Sequence, residues 1–156
     1  RILIVYFTII GGKFISKIEL ANAKIPSIAI NLKYGGGANI DRKDSEQAKG
    51  EIRKLAERMK ANKWSAFIFP EGTRTKDGKM KAFQVGGIAT IVDVCNDVVI
   101  VPIAIKGSFQ MAEKGMFPLM PFNKMSWEVL SPIEVEGRAI QDVILEAENA
   151  IRLKVE

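Results

Sequence analysis

The chain contains no histidine and a single cysteine among its 156 residues. Without imidazole, the commonest general base near neutral pH is missing. One thiol cannot build a disulfide framework, and the pair of shortages leaves no set of nitrogen and sulfur ligands for a transition-metal site. Cys95 itself sits in the apolar run Ile91-Val92-Asp93-Val94-Cys95, which reads as a buried structural thiol and agrees with a reducing compartment. Long hydrophobic runs are also lacking. The longest apolar region, from Ile88 to Ile105, is interrupted by Asp93, Asn96 and Asp97 and changes character part way, so no segment reads as a membrane-spanning helix. A secretory leader pattern is missing too, and a start at Arg1 suggests a processed or trimmed chain. Acidic residues are in modest deficit: 18 Asp and Glu against 23 Lys and Arg leave +5, which favours anionic partners without choosing among them.

What remains is the composition of one globular domain spanning residues 1–156, with 47% hydrophobic and 26% charged residues and no repeats. Ala66-Phe67-Ile68-Phe69 and Val98-Val99-Ile100-Val101 are short continuous apolar runs that suit strands covered on both faces. Further strands are expected at Arg1 to Val5, Lys13 to Ser16, around Ala38 to Asp41, and at Ser126 to Leu130. Between Ser45 and Lys63, the apolar positions Ala48, Ile52, Leu55, Ala56 and Met59 follow helical spacing, with Ser45 placed to cap the helix. Ile140, Val143, Ile144, Ala147 and Ile151 mark a second amphipathic helix between Arg138 and Val155. The alternation predicts an α/β fold: a largely parallel central sheet with helices on both faces, collecting ligands beyond the carboxyl ends of its strands.

Phe69-Pro70-Glu71-Gly72-Thr73-Arg74 lies at such an end. Arginine offers a planar fork of donors that matches phosphate, Gly72 lets the backbone approach a ligand, and Thr73 adds a hydroxyl. The six residues resemble the FPEGTR signature of the glycerolipid acyltransferases, the family of 1-acylglycerol-3-phosphate acyltransferase. Phe14-Ile15-Ser16-Lys17-Ile18-Glu19-Leu20, followed by Lys24-Ile25-Pro26, is similar to the family's "(A/S)KxEL…KIP" segment. Gly37-Ala38-Asn39-Ile40-Asp41-Arg42 is similar to its "GxIFIDR" motif, with Asn39 in place of an apolar residue. Val101-Pro102-Ile103-Ala104-Ile105 is similar to "VPVAI". The four motifs occur in the family's order across residues 13–110.

The resemblance implies transfer of a fatty acyl group to the hydroxyl of 1-acylglycerol 3-phosphate, giving phosphatidic acid. The donor would be an acyl thioester of coenzyme A or of acyl carrier protein, and no further cofactor or metal is implied. Lys17, Arg42, Gly72, Thr73 and Arg74 would hold the acceptor's phosphate. Glu71 would support catalysis by bracing its loop or positioning Arg74, and Asp41 would fix Arg42 or its strand. Work of this kind implies peripheral attachment to the cytoplasmic face of a membrane. Met116-Phe117-Pro118-Leu119-Met120-Pro121-Phe122, with Lys106, Lys114 and Lys124 around it, is the candidate for contact with lipid, as is the stretch from Ile18 to Tyr34. A nucleic-acid partner is not expected, because the basic excess forms no stripe interleaved with aromatics.

One motif of the family is missing. Its members carry His-x-x-x-x-Asp directly after their first strand, where this chain has Tyr6-Phe7-Thr8-Ile9-Ile10-Gly11-Gly12. The catalytic segment therefore reads as absent or shortened near residues 5–12. A parallel connection normally takes about a dozen residues or more, so this link reads as too short and predicts a break in the chain near Tyr6 or Thr8. The chain as it stands is expected to fold poorly or to transfer no acyl group. A non-catalytic phosphate- or lipid-binding domain of the same fold is the alternative.

Overall fold

The computed structural model describes residues 2–6, 11–21, 26–73, 75, 77–111 and 124–156. Its strands are β1 (Ile2–Tyr6), β2 (Gly12–Lys17), β3 (Ala38–Ile40), β4 (Ser65–Ile68), β5 (Val99–Lys106), β6 (Ser126–Val129) and β7 (Ile133–Glu134). The helices are α1 (Ile18–Ala21), α2 (Pro26–Tyr34), α3 (Ser45–Asn62), α4 (Val85–Val94), α5 (Ser108–Met111) and α6 (Ile140–Val155). One sheet runs in the order β3-β2-β4-β1-β5-β6, and β7 also pairs with β5. The expected α/β class is what forms. Its parallel part is β3-β2-β4, with Ile15 beside Ala38 and Phe14 beside Phe67.

β1 lies antiparallel to both β4 and β5, so β5 points the same way as β4. This corrects the argument from the short link. Five residues between Tyr6 and Gly12 reach at most about 20 Å, while two strand spacings take about 10 Å sideways. Returning along a strand as well would exhaust that reach, whereas an antiparallel β1 ends at the edge where β2 begins. No crossover is needed. Residues 7–10, where a break was expected, lie outside the described residues.

The core collects on one face of the sheet. Leu3, Ala66, Ile68, Ile100 and Ala104 meet Ile52, Leu55, Ala56 and Met59 of α3, Ile88 and Ile91 of α4, and Val143, Ile144, Ala147 and Ile151 of α6. Cys95 belongs to this core, and its Sγ donates to the Ala56 carbonyl at 3.2 Å. Burial pushes the thiol's pKa up, against the pull of the Lys60 charge. Asn39 alternates with Ala38 and Ile40 and so projects to the other face, where its Nδ2 donates to the Leu32 carbonyl of α2 at 2.7 Å. Helices therefore flank both faces.

The cap of α3 is Asp44 rather than Ser45. The backbone at Asp44 is extended, and its carboxylate accepts from the N–H groups of Glu46 at 3.1 Å and Gln47 at 3.0 Å. Asp44→Ala is expected to cost about 1 kcal/mol, read as a lowered urea midpoint at unchanged slope. Ser45→Ala should leave that midpoint in place.

Candidate functional site

The carboxyl ends of β2, β3 and β4 lie side by side at one edge of the sheet because the three strands are parallel neighbours. Lys17 closes β2 and pairs with Ile40, the last residue of β3, so Asp41 and Arg42 follow directly beside it. The register Phe14 to Phe67, carried on by three residues, sets Lys17 level with the buried Pro70, one residue ahead of Glu71. Lys17, Arg42 and the Glu71-Gly72-Thr73 turn thus share one rim. Arg74 lies outside the described residues.

Each segment is held by bonds that spacing along the chain does not announce. Gln47, on the first turn of α3, donates from Nε2 to the Asn39 carbonyl at 3.1 Å and accepts the Asp41 N–H at 2.8 Å. Asp41 then turns the chain through its own carboxylate, whose Oδ1 accepts the Lys43 N–H at 2.9 Å. Arg42 emerges exposed from this turn. Its guanidinium loses some hydration, which lowers its pKa from the usual value, while the Glu19 charge works in the opposite direction. It stays protonated throughout the working pH range. Glu19 and Arg42 come from two separate motifs, and their electrostatic coupling ties α1 to the β3–α3 turn.

The loop after β4 doubles back on itself. Gly72 adopts φ +69°, a left-handed conformation that glycine accepts without strain. Its N–H donates to the Phe69 carbonyl at 3.1 Å, and the Thr73 N–H donates to the Glu71 carbonyl at 2.8 Å. The returning strand of the loop is stitched on by the Lys81 N–H to Glu71 Oε2 at 3.0 Å and the Gln84 N–H to the Pro70 carbonyl at 2.8 Å. Lys81 also donates from Nζ to Thr73 Oγ1 at 2.9 Å, which leaves the Thr73 hydroxyl proton to donate elsewhere. Lys81, Gln47 and Glu19 were missed by sequence reasoning. Only the last carried a signal, as the acidic residue of the segment beginning at Phe14.

The acceptance of Asn39 where the family places an apolar residue has a local account. Its side chain tethers α2 through Leu32, although its Oδ1 is buried with no hydrogen-bond partner among the described residues. The apolar segment from Met116 to Phe122 lies outside the described residues, as does Lys24. Within Ile18 to Tyr34, Ile30 and Tyr34 are 59% and 73% exposed, one helical turn apart, and Lys33 Nζ stands 5.5 Å from the Tyr34 ring centre.

The acyltransferase family model matches residues 11–106, the span that contains all of these motifs. The chain belongs to the acyltransferase family. The resemblance read from the four motifs is borne out, and the match begins after β1, leaving Arg1 to Ile10 outside it. Among curated relatives, this acyltransferase domain is 33% identical over 103 residues to the chloroplastic 1-acyl-sn-glycerol-3-phosphate acyltransferase LPAT1 of Arabidopsis thaliana, covering 66% of this chain and 28% of that one. It is 32% identical over 125 residues to the chloroplastic 1-acyl-sn-glycerol-3-phosphate acyltransferase BAT2 of Brassica napus, covering 80% of this chain and 29% of that one. The domain thus spans under a third of the length of the curated relatives it matches. No solved structure matches it.

Proposed function

We propose that this domain takes part in transferring a fatty acyl group from an acyl thioester to the hydroxyl of 1-acylglycerol 3-phosphate, giving phosphatidic acid for phospholipid synthesis. The observation that carries the reading is the shared rim of β2, β3 and β4, where Lys17, Arg42 and the Glu71-Gly72-Thr73 turn meet within the span that matches the acyltransferase family. Two cations and a hydroxyl at adjacent strand ends suit a phosphate monoester, and Arg74 is the next residue in the sequence. In the reaction, the acceptor oxygen attacks the thioester carbonyl, the new ester C–O bond forms as the C–S bond breaks, and the hydroxyl proton leaves with the thiol. No cofactor is needed beyond the thioester itself, carried by coenzyme A or acyl carrier protein. Glu71, held through the Lys81 N–H, braces the loop rather than taking the proton.

The acceptor is a membrane lipid, so we place the domain peripherally at a membrane surface, on its cytoplasmic side. Exposed Ile30 and Tyr34 beside Lys33 support such a contact. No helix among the described residues is long and apolar enough to cross a membrane. A second reading is a phosphate- or lipid-binding domain without catalysis. The absence of histidine throughout the chain favours it.

Titration of lysophosphatidic acid by calorimetry at fixed salt tests the acceptor site. Arg74→Ala is expected to weaken binding about thirtyfold, since a charge-assisted phosphate contact contributes on the order of 2 kcal/mol. Equal affinities for the two forms would remove Arg74 from the site, and no binding by either would remove the acceptor.

A further inference from the structure

A second basic pocket opens on the same edge of the sheet, away from the motifs. Ala104, Lys106, Ser126, Trp127, Glu128 and Lys154 border a cavity of about 280 Å³. The register explains the grouping: Ala104 pairs with Glu128 and Lys106 with Ser126, so these four share the side of the sheet that α6 covers. Lys154, near the end of α6, closes the pocket by pairing with Glu128 at 2.7 Å. The Lys106 ammonium makes no hydrogen bond or ion pair among the described residues. Two lysines, Lys106 and Lys154, thus border the pocket with one glutamate, and the Ser126 hydroxyl adds a donor. Trp127, 76% exposed, lies between Ser126 and Glu128 in the strand and so turns its ring to the other side of the sheet.

We infer that this pocket binds a phosphate of the acyl-thioester donor, an assignment that rests on the acyl-transfer reading. Coenzyme A and carrier-protein thioesters share one chemistry: a phosphate group separated from the reacting carbonyl by a long, flexible pantetheine arm. A donor-phosphate site must therefore face the same reaction zone as the acceptor's phosphate site while standing well apart from it. The pocket meets both conditions. β5 points the same way as β4, so Lys106 stands at its carboxyl end, on the edge that carries Lys17, Arg42 and Thr73. Two strand spacings separate β4 from β5 and a third leads to β6, about 14 Å in all. A lysine is a compact point charge that takes phosphate without fixing its orientation, which suits the end of a flexible ligand.

Calorimetry with adenosine 3′,5′-bisphosphate, 4′-phosphopantetheine and inorganic phosphate tests the assignment in the intact chain, Lys106→Ala, Ser126→Ala and the surface control Lys49→Ala. Retained thermal midpoints establish that the variants are folded. The expected result is binding of the bisphosphate or the phosphopantetheine that weakens at least tenfold in Lys106→Ala, weakens measurably in Ser126→Ala, and is unchanged in Lys49→Ala. Preference for the nucleotide identifies coenzyme A as the source of the phosphate, and preference for phosphopantetheine identifies a carrier protein. Inorganic phosphate binding as tightly as both would overturn the donor assignment, as would failure of both to bind or equal binding by Lys106→Ala. Lysophosphatidic acid titrated into the same proteins reads the acceptor site separately. Its binding should survive Lys106→Ala, so an intact chain that binds lysophosphatidic acid but neither donor fragment counts against the pocket, and an intact chain that fails to bind lysophosphatidic acid counts against the acyl-transfer reading.

Discussion

Incubated with an acyl thioester and lysophosphatidic acid, residues 1–156 are expected to release no thiol above the uncatalysed rate. The attacking hydroxyl must lose a proton as the ester bond forms, and a positioned base contributes about 10²–10⁴ in rate. The chain has no histidine to serve. The carboxylates at the rim are already engaged in holding their turns: Glu71 Oε2 accepts the Lys81 N–H and Asp41 Oδ1 accepts the Lys43 N–H. Supplying the family's His-x-x-x-x-Asp segment between Tyr6 and Gly12, in a link of about a dozen residues or more so that β1 can run parallel to β4 and end at the rim, should raise thiol release by about that factor, and changing its histidine to alanine should abolish the gain. Acceptor binding should persist in every form, since Lys17, Arg42 and Thr73 are unchanged in all of them. Rapid thiol release by the 156-residue chain, equal with and without the added histidine, would overturn the mechanism.

Gly107→Ala should be the most damaging small substitution among the described glycines of the β5–β6 edge. Gly107 has φ +79°, and a Cβ built there would stand 2.0 Å from the Lys124 carbonyl oxygen. That oxygen belongs to backbone and cannot swing aside like the end of a side chain. Relief requires moving residues 124 and 125 away from β5, directly ahead of the pairing of Lys106 with Ser126. Left-handed backbone costs an alanine about 1–2 kcal/mol, and forced overpacking costs about 1–3 kcal/mol more. Against a total stability of about 5–15 kcal/mol, such a loss is large. Gly137→Ala is the matched comparison, with φ +72° and nothing within 4 Å of the new carbon. It should show the conformational cost alone. Urea midpoints measured side by side give the difference, and equal losses at the two sites would deny the close contact with Lys124.

Local pattern carried a good deal of this protein. The apolar spacing of α3 and α6 appears in the buried set Ile52, Leu55, Ala56 and Met59 and in Val143, Ile144, Ala147 and Ile151, because a helix buries one stripe and shows it as a period. The apolar runs of β4 and β5 were similarly plain, and the polar residues that follow β2, β3 and β4 could be named as strand-end candidates before their neighbours were known. The cap of α3 slipped by one residue since Asp44 and Ser45 are both good caps, and only backbone conformation decides between them. α4 was left unread because its apolar residues run on almost without a break, so Ile88 and Ile91 show no polar face to mark a helix.

Family membership and the chemistry of the rim are written in short stretches of adjacent residues, so they survive reading one residue at a time. Strand order, the reversed direction of β1, the clasp of Lys81 on Thr73, and the meeting of Lys106 with Ser126 and Lys154 are not. Each joins residues well separated in the chain, from 8 positions for Thr73 and Lys81 to 101 for Ile2 and Ile103. Such contacts depend on how the chain closes its loops and packs its sheet, and the residues at either end carry no local preference that names the partner.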